Sequence, residues 1–188
     1  MSFWTLLVSF APWFSLKIIS DLPFGNPLTM LKISIVVAFV LCAYQGWKDK
    51  TRSSIFWGSI SFFSFCMVAV VLTTNMWVIR HMGVLSQIQL VAIAFGSMAA
   101  KRPFTLAYAK QHVPQELWNH PRFLRKNYLI TGAWGVSFLF CLALAVLELN
   151  GHGPGKLLVE ILDDGSMLAA MVFTKFLTRH PTTAETPA

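Results

Sequence analysis

Acidic residues are scarce in this sequence. Asp and Glu number 8 in 188 residues against 15 Lys and Arg, and charged residues make up only 12% of the chain. A soluble domain carries about twice that fraction, ~25%. This is too little charge to cover a globular surface, which argues against a soluble globular class. Cysteine is scarcer still. Cys42, Cys66 and Cys141 all fall inside apolar runs without metal-ligand spacing, so they are expected to be small buried hydrophobes and fix no redox compartment. Catalytic patterns are missing too: there is no G-x-S-x-G, H-E-x-x-H, P-loop or C-x-x-C. His112, His120, His152 and His180 are scattered over loops and the tail, which suits neither haem nor zinc. No metal, no cofactor and no catalysis are therefore expected. The start, MSFWTLLVSF, lacks a basic stretch and an A-x-A step, so no cleaved signal peptide is expected.

What the chain does have is apolar bulk. It is 55% hydrophobic, with 16 Phe, 7 Trp and a mean hydropathy of +0.60. The expected class is an all-α, polytopic helical membrane bundle. The formal charge of +7 does not argue for nucleic acid, which needs a soluble domain with a basic face. Here the cations sit between apolar runs and read as topogenic.

A crossing needs ~20 mostly apolar residues for ~30 Å of hydrocarbon. Six runs qualify, at 3–20, 28–47, 54–74, 83–100, 127–148 and 157–178. The first is short and carries Pro12 and Lys17; it is either a kinked span or a re-entrant segment, which would leave five spans. DLPFGNP and NGHGPGK are turn clusters by their Gly, Pro and Asn content. The expected organisation is one transmembrane domain over 1–180 and a disordered cytoplasmic tail over 181–188.

Charge asymmetry orients the spans. Lys48, Lys50, Arg52, Lys101, Arg102, Lys110, Arg122, Arg125, Lys126, Lys175 and Arg179 fall on one side. Lys17, Lys32, Arg80 and Lys156 fall on the other. The richer side is the cytoplasm, with both termini on it. The main cytoplasmic loop, 101–126, joins spans 4 and 5. Its rings, Phe104, Tyr108, Trp118 and Phe123, suit the headgroup layer, and Pro103 and Pro121 suit first helical turns. A short helix over 103–113 lying on the membrane is expected. The loop is either an anchor that fixes topology or a docking surface for acidic lipids or a partner.

Close packing of small residues is expected to hold the bundle. Candidate stripes are Ser54, Gly58 and Ser61; Ala92, Gly96 and Ala100; Gly132 and Gly135; and Gly165 and Ala169. Ser86, Gln87 and Gln89 are expected to need partners across a helix interface.

Glu160, Asp163 and Asp164 stand at i, i+3 and i+4, on one helical face. The expected topology brings them to the outer level of Lys17, Lys32, Arg80 and His81, with Glu148 ending span 5 there. Three close carboxylates repel one another, and Lys17 and Lys32 are their expected partners. These residues either line an outward-facing polar vestibule for a cation, a proton or a headgroup, or are ordinary interfacial charges.

The last half of the chain resembles the bacterial intracellular septation protein A family and its uncharacterised polytopic relatives. The likeness lies in Lys101-Arg102-Pro103-Phe104 at the end of a span, in Trp118 in the polar stretch after it, and in Thr131-Gly132-Ala133-Trp134 with Phe138 and Phe140. The exit Thr178-Arg179-His180-Pro181 is similar as well. Thr131 stands where the family has Asn, and Asn127 lies one turn earlier. The resemblance implies a non-enzymatic inner-membrane role in envelope maintenance or division through membrane partners, with no catalytic residues to carry over. Two other readings stay open. A small transporter would use the acidic vestibule and would need a homo-oligomer, because six spans in 188 residues enclose only a narrow pore. An enzyme acting on lipid headgroups would use the same acids with a metal.

Overall fold

The computed structural model describes residues 7–23, 25–48, 53–111 and 113–179. The expected tail, 181–188, lies outside them, as do residues 3–6, Lys50, Arg52, His112 and His180. Every regular element among the described residues is helical. They form two compact units, one ending at Met82 and the other beginning at Gly83.

The first unit contains α1 (Ala11–Ser20), α2 (Pro27–Lys48), α3 (Ser54–Cys66) and α4 (Met76–Arg80). Pro12 falls in the first turn of α1, where its missing N–H costs nothing. The unit is built around Trp13. Its indole Nε1 donates to Ser59 Oγ at 2.7 Å, and its ring meets Phe62 at 5.1 Å and Phe63 at 5.0 Å. The face of α2 that is buried carries Ser34, Ile35, Ala38 and Cys42. Gly46 passes so close to α3 that an added Cβ would collide with the Phe56 ring. Helix α3 continues as a π-helical stretch, Met67–Leu72, and reverses at Thr74, whose φ is +48°. Lys32 Nζ donates to Thr74 Oγ1 at 2.7 Å, and Asn75 Oδ1 caps α4 by accepting from Trp77 N–H and Val78 N–H.

The second unit is described by α5 (Met82–Ala99), α6 (Phe104–Lys110), a 3-10 turn (Gln115–Leu117), α7 (Pro121–Leu149) and α8 (Lys156–Arg179). α7 and α8 run antiparallel and are joined by polar contacts. Trp134 Nε1 donates to Thr174 Oγ1 at 3.0 Å, Ser137 Oγ donates to Ser166 Oγ at 3.1 Å, and Cys141 Sγ lies 3.2 Å from Ser166 Oγ. Gly135 lets α7 approach α5: a Cβ there would sit 3.1 Å from the Phe95 ring. Two of the turn glycines in the 150–155 cluster, Gly151 and Gly155, have positive φ.

Among the described residues four helical segments are long and apolar enough to cross a bilayer: Pro27–Lys48, Ser54–Leu72, Met82–Ala99 and Pro121–Leu149. Their outward faces carry bare apolar side chains, including Val36, Val40, Phe65, Ile88, Val136 and Leu139. Bands of that kind are foreign to a water-facing surface and belong in lipid. The chain is thus a helical, membrane-associated protein. The runs at 3–20 and 157–178 make up the difference from six. α1 has 10 residues, about 15 Å at 1.5 Å per residue. α8 has 24 residues, about 36 Å and long enough to cross, but its charged residues break the apolar composition.

The expected small-residue stripes fare unevenly. Gly135 is buried at a helix contact, as expected. Ser54, Ser61, Ala92, Gly96, Ala100, Gly165 and Ala169 are exposed instead. The face of α3 that packs carries Ile55, Ser59, Phe62, Phe63 and Cys66, and α8 meets α7 through Ser166 and Thr174, with Ala170 buried on the same face. Size alone does not choose a face. A hydroxyl that can complete a hydrogen bond across the interface does, because it removes a polar group from hydrocarbon. In α5, Ser86 Oγ donates within its own helix to Gly83 O, and the buried Gln87 Oε1 has no hydrogen-bond partner.

Candidate functional site

The basic stretch 101–126 is folded. α5 ends in a Schellman turn: Lys101 N–H donates to Met98 O and Arg102 N–H to Ser97 O, both at 2.9 Å. Lys101 takes the left-handed position, with φ +58°. Ser97 ties this turn to the start of α6. Its hydroxyl donates to Ala94 O at 2.8 Å and accepts from Phe104 N–H at 3.1 Å. Pro103 stands at the cap of α6.

Helix α6 has seven residues and buries Phe104, Thr105, Leu106, Tyr108 and Ala109. Thr105 Oγ1 lies 3.1 Å from Asn127 O and 2.9 Å from Thr131 Oγ1. If Thr131 donates to Thr105 and Thr105 donates to Asn127 O, both hydroxyl protons are used. Asn127 Nδ2 donates to Phe123 O at 2.9 Å, while its buried Oδ1 has no partner. Leu106, Ala109 and Phe123 form the apolar half of this contact, with Val113 and Leu124 against them. Trp118 is half-buried. Its Nε1 donates to Val113 O at 3.0 Å, and Lys110 Nζ stands 4.8 Å above its ring. The His120 side chain caps α7 by accepting from Arg122 N–H, and Pro121 occupies the first turn.

Lys101, Arg102, Arg122 and Arg125 are exposed around this frame, and Lys110 and Lys126 are half-buried. A short helix, α6, occupies Phe104–Lys110 of the expected 103–113, but the aromatic residues differ from expectation. Phe104, Tyr108 and Phe123 are buried in the protein rather than turned to a headgroup layer. Helices α6 and α7 pack against each other, and local sequence does not reveal such a partner.

The residues expected to form a vestibule divide between the units. In the first, Lys17 lies in the last turn of α1 and Lys32 contacts Thr74. Arg80 is exposed, and His81 stacks on Trp77 with ring centroids 4.3 Å apart, its Nδ1 2.7 Å from Trp77 O. In the second, Glu160 and Asp163 are half-buried along α8 and Asp164 is exposed. Ser166, which touches α7, donates its hydroxyl proton to Asp163 O at 2.9 Å. Among the described residues no group of three or more His, Cys, Asp or Glu is placed to hold a metal ion.

Sequence reasoning missed the hydroxyl groups that build these contacts: Ser97, Thr105, Ser137, Ser166 and Thr174. A signal existed. Asn127, Thr131, Trp134, Phe138 and Cys141 recur at heptad spacing along α7, and Ser166, Ala170 and Thr174 at steps of four along α8. No family model, curated protein or solved structure matches the chain.

Proposed function

We propose that this chain is a non-enzymatic, multi-pass protein of the bacterial inner membrane that serves envelope maintenance or division by binding membrane partners, as its resemblance to the septation protein A family implies. In this reading six segments cross the bilayer, or five if 3–20 is re-entrant. Both termini are cytoplasmic, and α6 lies at the cytoplasmic interface. The length of α8 and its exposed Leu168, Val172 and Phe176 support a crossing there.

The observation that carries the reading is the folded basic stretch. A loop that only fixes topology by charge needs no internal structure. This one holds four exposed cations on a frame of buried Phe104, Thr105, Tyr108 and Phe123, and preorganised groups lose less entropy on binding. The test reverses Lys101, Arg102, Arg122, Arg125 and Lys126 to Glu in cells, with tags reporting topology. Lost complementation at unchanged topology is expected. Full complementation at unchanged topology would refute the reading.

A transporter is the second reading. It is favoured by the half-buried Glu160 and Asp163 beside the Ser166 contact with α7, and it calls for a homo-oligomer. Proteoliposomes no more permeable than empty ones would remove it. Flux that survives Glu160→Gln, Asp163→Asn and Asp164→Asn together would remove the acids from it.

A further inference from the structure

We propose that the basic platform formed by the α5–α6 turn and the start of α7 binds the phosphate of anionic phospholipids in the leaflet that it adjoins. The inference rests on the orientation given under Proposed function and names the partner of that same surface.

Three observations carry it. The first is charge: residues 101–126 hold six Lys and Arg against one acid, Glu116.

The second is level. Along the outward side of α7, Arg122 and Arg125 are exposed, and then Leu129, Val136 and Leu139 are exposed. From Arg125 to Leu129 is four residues, about 6 Å of helix. The change from cation to bare apolar side chain therefore occurs within about one turn, which marks the edge of the hydrocarbon. On α5 the same change runs from exposed Phe95 and Ala99 to exposed Lys101 and Arg102. Cations one turn outside the last lipid-facing side chain reach headgroup phosphates, which Arg binds in bidentate fashion.

The third is Lys101. Two helices of this unit end in the same hydrogen-bonded turn. At the end of α7, Gly151 N–H donates to Glu148 O and His152 N–H donates to Leu147 O, and the left-handed residue is Gly151 at φ +73°. That is the usual choice, because glycine has no Cβ to strain. At the end of α5 the same place is taken by Lys101 at φ +58°. Glycine would be unstrained there, and Lys101 instead places an ammonium group at the turn. A cation needed only for topology could stand at any neighbouring residue without strain.

The test uses the full chain in nanodiscs of phosphatidylcholine mixed with phosphatidylglycerol. The enrichment of spin-labelled phosphatidylglycerol over labelled phosphatidylcholine at the protein is the readout. Wild type is expected to enrich the anionic lipid, and Lys101→Gly to reduce that enrichment by about fivefold at most. Lys101→Gly should melt no lower than wild type, so the loss cannot come from unfolding. Adding Arg122→Gln and Arg125→Gln should abolish the enrichment, as should raising the salt. Enrichment unchanged in the triple variant would overturn the inference, as would its absence from wild type. Should wild type show no lipid preference while the charge-reversed chain still fails to complement in cells, the platform takes a protein partner. The function reading would then stand and the lipid inference would fall.

Discussion

The contact between Trp134 and Thr174 sets the register of α8 on α7, and it can be tested by a double-mutant cycle. The indole is fully buried and its Nε1 donates to Thr174 Oγ1 at 3.0 Å. Thr174 in turn donates its own proton to Ala170 O at 2.8 Å. The two partners are therefore unequal. Thr174→Val removes the acceptor and leaves a buried N–H with nothing to bond, at a cost of about 1–3 kcal/mol in a protein interior. Within a membrane the denatured chain finds other partners, and measured side-chain hydrogen bonds fall nearer ~0.6 and at most ~1.7 kcal/mol. The lower end of the first range, about 1 kcal/mol, is the value expected for Thr174→Val. Trp134→Phe removes the donor together with part of the ring, so a packing loss of ~1–2 kcal/mol is added. In the Trp134→Phe background no indole N–H remains to be orphaned, and Thr174→Val should cost little. The coupling energy is then about 1 kcal/mol. Reversible unfolding in mixed micelles, tracked by circular dichroism, measures all four corners. An equal cost for Thr174→Val in both backgrounds would show that the bond is absent and that α8 does not sit on α7 in this register.

The close approaches and strained turns make further outcomes testable. Gly46→Ala should destabilise the first unit by about 1–3 kcal/mol, because the new methyl meets the Phe56 ring; Gly96→Ala, inside α5 with open space around it, should stabilise by up to about 1 kcal/mol in the same unfolding assay. Thr74→Asn should raise the melting temperature, since a β-branched residue at φ +48° is strained and Asn tolerates that region while keeping a polar atom near Lys32. A drop in melting temperature would mean that the branched side chain itself is needed at that turn.

Hydropathy made the helices legible and left their faces obscure. The runs at 28–47, 54–74 and 83–100 agree with α2, α3 with its π-helical extension, and α5 to within a few residues. α7 begins at Pro121, six residues before the run at 127–148, because Arg122, Arg125 and Lys126 are compatible with a helix but not with hydrocarbon. Apolar length measures the bilayer, and caps such as His120 and Pro121 mark the helix. Faces were harder. Gly96 and Gly165 look like packing residues by size, but nothing lies within 4 Å of a Cβ at either. Tyr108 and Phe123 look like interfacial rings by composition and are buried. The contacts that set the packed faces join residues on different helices, 20 to 40 positions apart: Thr105 with Asn127 and Thr131, and Trp134 with Thr174. The acidic face of α8 was legible as a pattern, while the burial of Glu160 and Asp163 depended on that same distant packing.

Helix α7 is 29 residues long, about 43 Å, some 13 Å more than a ~30 Å hydrocarbon layer. It runs from Pro121 to Leu149 with no internal proline and no π-helical turn to serve as a joint. The rod that exposes Arg122 and Arg125 near one end also carries the buried Trp134, Ser137 and Cys141. Whatever pulls on its wet end moves the seam with α8 as well, because nothing between them can bend to absorb the motion.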